Sequence, residues 1–197
     1  MSHDLSALIS TRICHDLINP LGAISNGMEL LTVIGGQTGP ELDLVAESAE
    51  RATAKLNFFR IAFGNTEHQS DLNSATLHDI IQHMYAVGRF KVVWPQDTPT
   101  IRRSDAKLLL LLLLAVESSA PLGGQCTVGI NPQMTLALTG PRIMPEPSSW
   151  QVATGQGDPA QVSASNVHFA AILETLRSLD LVLTWSQTED ALTVRIT

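Results

Sequence analysis

Apolar residues recur at Leu5, Ile9, Ile13, Leu17, Ile24, Met28 and Leu31, in steps that keep one stripe along a helix of about 3.6 residues per turn. The pattern predicts one long amphipathic helix, bent gently where Pro20 removes a backbone donor. GGQTGP at 35–40 predicts a turn, with a proline placed where a following helix starts. That second helix is expected over about 41–63, on Leu42, Val45, Ala49, Ala52, Leu56, Phe59 and Phe63. The two helices make an antiparallel hairpin whose apolar seams it cannot cover alone. Two copies packed into a four-helix bundle solve that economically.

Beyond the polar stretch GNTEHQSDLNSAT the periodicity changes. The hairpin is therefore assigned to residues 1–66 and a second domain to 72–197. The second domain offers a helix at about 77–87, a strand RFKVVW, a helix SDAKLLLLLLLAVESSA capped by Ser104, and strands CTVGI and MTLAL. A loop rich in Pro, Gly and Ser leads to a helix near 166–179 and a closing hairpin, LVLTWSQTEDALTVRIT. Interspersed strands and helices predict a two-layer α/β sandwich, so the fold class of the whole chain is α+β. The apolar run 108–116 ends at Glu117, short of the roughly 20 residues a bilayer span needs, and is expected to be a buried helix.

A chain of 197 residues with 44% hydrophobic content can bury a real core without staples. Cys14 and Cys126 lie in apolar sequence and are expected to be reduced core thiols of a cytoplasmic protein, with no signal peptide ahead of the first helix. The net charge of -7 argues against nucleic acid as partner, and the short apolar run argues against a membrane.

On the first helix His15, Asn19, Gly22, Asn26 and Glu29 share a face turned away from the apolar stripe. His15 should therefore be exposed. Gly22, Ala23 and Ser25 cover this surface thinly, which suits a docking protein. A neutral imidazole can attack a phosphoryl group to give phosphohistidine. If Asp16 accepts a hydrogen bond from its Nδ1, it fixes the tautomer and stabilises positive charge developing on the ring. Asn19, one turn on, can orient a water or a phosphoryl oxygen.

HDLINPLGAI at 15–24 resembles the phosphoacceptor box of sensor histidine kinases, on the first helix of a dimeric hairpin; His15, Asp16, Asn19, Pro20 and Leu21 match it. The order of hairpin and α/β domain also resembles that family. The nucleotide motifs do not. Leu114 stands where the kinases place a magnesium-binding asparagine, Leu138 or Thr139 where they place an adenine-binding aspartate, and VSASNVHF where they have a glycine-rich lid. Leucine cannot ligate a hard cation, and a segment without glycines cannot bring its backbone donors close to phosphates. The second domain thus resembles a degenerate kinase ATPase domain without ATP binding.

This combination is similar to the ChpT-type histidine phosphotransferases of alphaproteobacteria. The resemblance implies a homodimeric, cytoplasmic phosphotransferase that accepts a phosphoryl group on His15 from the receiver-domain aspartate of a hybrid histidine kinase and passes it to response regulators. It implies no cofactor bound by this chain, with Mg²⁺ supplied by the receiver. His15 would be the nucleophile and carrier, and Asp16 its orienting carboxylate. Asn19 would support back-transfer or hydrolysis, or else be a surface amide. Arg12 would pair with receiver acids or simply aid solubility. Gly22, Ala23 and Asn26 would serve docking, or else allow close helix packing. The rival functions are a catalytically silent dimeric scaffold that binds receivers and a kinase with a divergent nucleotide pocket.

Other signals are weaker. His78 and His83 in HDIIQH are five residues apart, whereas a zinc helix sets two histidines about four apart. His3, His68 and His168 have no ligand-like neighbours, and surface or partly buried positions are expected. Phe58, Phe59, Phe63, Trp94 and Trp185 suit core packing, while Trp150 falls in the long loop and carries no assignment.

Overall fold

The computed structural model describes residues 2–34, 40–66, 70–95 and 100–197. The expected turn at 35–39 and His68 lie outside the described residues, as do the side chains of His3 and Leu31. Helix α1 (Ser2–Ile34) runs unbroken through Pro20 and packs along α2 (Pro40–Ala62) as the expected hairpin. After β1 (Leu72–Asn73) come α3 (Ser74–Met84), β2 (Phe90–Val93), β3 (Thr100–Ile101) and α4 (Arg103–Ser118). The rest is β4 (Gly124–Gly129), β5 (Thr135–Thr139), α5 (Pro147–Ala153), α6 (Val167–Leu179), β6 (Leu183–Gln187) and β7 (Ala191–Ile196).

The main sheet has the order β2-β4-β5-β7-β6, with β2 parallel to β4 and the other pairs antiparallel. Parallel neighbours need a crossover, which α4 supplies. Period-two alternation sends Cys126, Val128, Leu136, Leu138, Leu192 and Val194 to one buried face, and the register pairs Cys126 with Leu138 and Leu138 with Leu192. Helices cover that face, completing the two-layer sandwich. The leucine run of α4 is buried on every side because β5 lies on one flank and α2 and α6 on others. No helix among the described residues is long and apolar enough to cross a membrane.

Several expectations shift. Helix α3 starts at Ser74, ahead of the expected 77, because the Asn73 side chain accepts from the Ala75 amide at 2.8 Å and caps it. Ser104 does not cap α4: Arg102 holds the cap position, with its guanidinium forked onto Asp105 at 2.8 and 3.1 Å. The long loop contains α5, and Trp150 there is fully buried. Its indole N–H donates to the Ser119 hydroxyl at 3.2 Å, and its ring lies 5.4 Å from both Phe169 and Trp185.

The hairpin and the second domain share one core. Phe58, Phe59, Ile61 and Ala62 at the end of α2 are buried in it, Phe58 edge-on to Tyr85 at 6.0 Å. Lys107 of α4 donates to the Gly64 carbonyl at 2.9 Å just past α2. Farther along the hairpin the apolar residues stay open: Ile18, Leu21, Met28, Leu30, Leu42, Leu44 and Leu56 are all exposed.

Candidate phosphoacceptor site

His15 is exposed in the first half of α1, and Asn19, Gly22, Asn26 and Glu29 are exposed with it along the expected helical line. The line is open because α2, the 3-10 turn Ala164–Asn166 and α6 pack against other sides of the helix. A Cβ at Gly22 would meet nothing within 4 Å, so no contact inside the chain requires a glycine there. Ala23 is half-buried.

Asp16 is not where the tautomer argument placed it. Its Oδ2 accepts from Arg12 Nε at 2.8 Å, and among the described residues no hydrogen bond joins it to His15. The reason is spacing: residues four apart on a helix face one another, whereas adjacent residues diverge by about 100°. Arg12 is corrected too, since it does not stand free for a receiver. It is half-buried, and its second guanidinium arm donates to the Ser165 carbonyl just before α6. The pair thus ties the helix carrying His15 to the second domain.

Beneath that pair lies a group of titratable side chains that sequence reasoning missed. Burial holds the Glu117 carboxyl at the end of α4 above the usual carboxylate range, and Arg12 and Lys55 oppose that rise. Burial, reinforced by Glu117, pushes the neighbouring Tyr85 phenol well up as well. His168 is also buried, with neither ring nitrogen hydrogen-bonded among the described residues, and burial together with the Arg12 guanidinium lowers it to about 3. Arg12 of α1, Lys55 of α2, Tyr85 just past α3, Glu117 of α4 and His168 of α6 are far apart in sequence, so no local motif announces this group.

The expected core thiols divide. Cys126 is buried and its thiol is pushed up to about 12, whereas Cys14, on the face beside His15, is exposed. His78 stacks on Trp94 at 5.8 Å and His83 Nδ1 lies 2.6 Å from the Asp79 carbonyl, so each has a local role. Among the described residues no cluster of three or more His, Cys, Asp or Glu assembles that could hold a metal ion. The kinase nucleotide positions are equally changed: Leu114 and Leu138 are buried, and the segment replacing the glycine-rich lid folds into a capping box between Ser163 and Asn166.

Known proteins resemble this chain in sequence and in fold. Residues 74–191, more than half of the chain, match the family described as Histidine phosphotransferase C-terminal domain. Protein phosphotransferase ChpT of Brucella abortus (strain 2308) is 29% identical over 170 residues, spanning 83% of this chain and 81% of that one. A bacterial phosphotransferase solved at 1.7 Å superposes with a TM-score of 0.84 at 27% identity, covering 100% of this chain and 97% of that one. With the family's domain covering more than half of the chain and both relatives spanning most of it, the chain belongs to the histidine phosphotransferase family and is a phosphotransferase.

Proposed function

We propose that this protein is the phosphohistidine station of a phosphorelay, taking a phosphoryl group onto His15 from the receiver-domain aspartate of a hybrid histidine kinase and passing it to response regulators. The observation that carries the reading is the exposure of His15 on an open helix face in a member of a phosphotransferase family. In the forward step an imidazole nitrogen attacks phosphorus, a P–N bond forms as the aspartyl P–O bond breaks, and the carboxylate leaves with the bond pair. The return to a regulator runs the same step backwards.

Asp16, fixed by Arg12 one residue from His15, contributes negative charge that favours the positive ring of the transition state. Asn19 holds a phosphoryl oxygen in this reading, which its exposure one turn on supports. Gly22, Ala23 and Asn26 form the thin docking face for the receiver. Mg²⁺ and the acidic cluster that binds it come with the receiver, and this chain needs no nucleotide. Burial of Leu114 and Leu138 in the core and of Trp150 against Phe169 and Trp185 supports that reading. The protein works as a homodimer in the cytoplasm, two hairpins covering the exposed Ile18, Leu21, Met28 and Leu56.

The test is to mix the purified protein, without nucleotide, with a receiver carrying labelled aspartyl phosphate. The label should pass to the wild type as acid-labile phosphohistidine and not to His15→Ala. Failure to label with any receiver that binds would leave the silent scaffold as the better account.

A further inference from the structure

Pro20 lies inside α1 and is buried, yet the helix does not break there. Proline carries no amide hydrogen, so the carbonyl four residues earlier loses its helical donor, and the pyrrolidine ring crowds it. That carbonyl belongs to Asp16, the residue after His15. Leaving it unpaired beside a packed helix would cost a half-buried polar group its partner. The structure fills the gap from outside: Lys55 of α2, half-buried, places its Nζ 3.2 Å from the Asp16 carbonyl oxygen.

Asp16 is consequently held at two points. Arg12 takes its carboxylate and is itself fastened to the Ser165 carbonyl, while Lys55 takes its backbone oxygen from the opposite helix of the hairpin. The peptide unit next to the phosphoacceptor is pinned between α2 and the second domain. A lysine side chain can do this because its ammonium is a compact donor on a long stem that lies along apolar surface.

We propose that Lys55 is a positioning residue for phosphotransfer: by donating to the carbonyl that Pro20 leaves open, it sets the course of α1 at His15. The role rests on the phosphorelay reading above. It touches neither the imidazole nor the phosphoryl group, and works through the backbone of Asp16. Misplacement of a reacting atom by about 1 Å can cost as much as about a hundredfold in rate. Lys55 should therefore influence the transfer step within the receiver complex and leave receiver affinity alone.

The proposal is tested on the full-length protein with a phosphorylated receiver, reading the transfer rate at saturating receiver and the receiver concentration for half-maximal rate. Lys55→Met should lower the saturated rate about tenfold with an unchanged half-saturating concentration, and Lys55→Arg should recover most of it. Pro20→Ala restores an amide donor for Asp16, so in that background Lys55→Met should change the rate by less than about twofold. The same pairing should appear in amide exchange of α1, faster around Asp16 in Lys55→Met but not in the double variant. A wild-type rate in Lys55→Met, or an equal loss in both backgrounds, would overturn the positioning role while leaving the relay intact. No His15-dependent transfer by the wild type would overturn the relay and this role with it.

Discussion

His168 is sealed at the start of α6 with neither ring nitrogen hydrogen-bonded among the described residues, and burial and the Arg12 guanidinium lower its pKa from 6.5 to about 3. In the unfolded chain the imidazole takes up a proton near its ordinary value, whereas in the folded protein it stays neutral until far lower pH. Stability is therefore complete above pH 6.5 and falls as pH drops from there towards about 3, at about 1.4 kcal/mol per pH unit from this group. His168→Leu should remove that loss and, by deleting two unpaired nitrogens, add about 1 kcal/mol at neutral pH. Urea denaturation of both proteins on either side of pH 6.5 checks it, the gap between them widening in acid. A gap independent of pH would contradict the assignment. The two exposed and buried histidines differ in how far sequence reveals them. His15 was legible because its face of α1 is polar over several turns. His168 was not, since its burial depends on α1 and Arg12 packing over it from the other end of the chain. The Arg12–Asp16 pair was legible from its four-residue spacing, which outweighs sequence adjacency to His15 because neighbouring side chains on a helix diverge.

At the level of elements, α1 and α2 were legible from their periodicity, α4 from its apolar run and the strands of the main sheet from their alternation, whereas the two-residue β1 and β3 are too short to show a pattern. The seven-residue α5 was not, because it is too short to show a period and its Pro-Ser-Ser start reads as loop. Yet α5 carries Trp150, wedged against Phe169 and Trp185 with its N–H on Ser119. Trp150→Ala should cost about 3–5 kcal/mol of stability. Chemical denaturation measures it, and a loss under about 1 kcal/mol would mean that the wedge is not part of the core. The leucine run of α4 had the opposite character. Its apolar content marked burial at once, whereas its neighbours, two helices and a strand, came only from the fold.

Across the whole molecule, the helical hairpin buries its far end with the second domain and leaves Ile18, Leu21, Met28, Leu30, Leu42, Leu44 and Leu56 at 44–61% exposure. Such a set, gathered on one hairpin, is large for a free surface and suits a second copy. Sedimentation should find a dimer for the wild type and a monomer for Leu56→Glu, which stays folded because the residue is already 53% exposed in the single chain. A wild-type monomer would remove the four-helix bundle from the account. The sequence pattern pointed to uncovered apolar surface on the hairpin, but of those exposed residues only Met28, Leu42 and Leu56 lie on the stripes read from it. It could not anticipate that α2 would also insert Phe58 and Phe59 into the second domain, which makes that domain a brace for the hairpin that carries His15.

The central claim is that His15 carries the phosphoryl group between receivers. Its most direct test is to isolate the protein after nucleotide-free incubation with a phosphorylated receiver, locate the phosphate by mass spectrometry under conditions that preserve P–N bonds, and then add a fresh receiver with Mg²⁺. The account predicts phosphate on His15 that passes to the aspartate of the second receiver. Phosphate elsewhere on the chain, or phosphate on His15 that no receiver accepts, would contradict it.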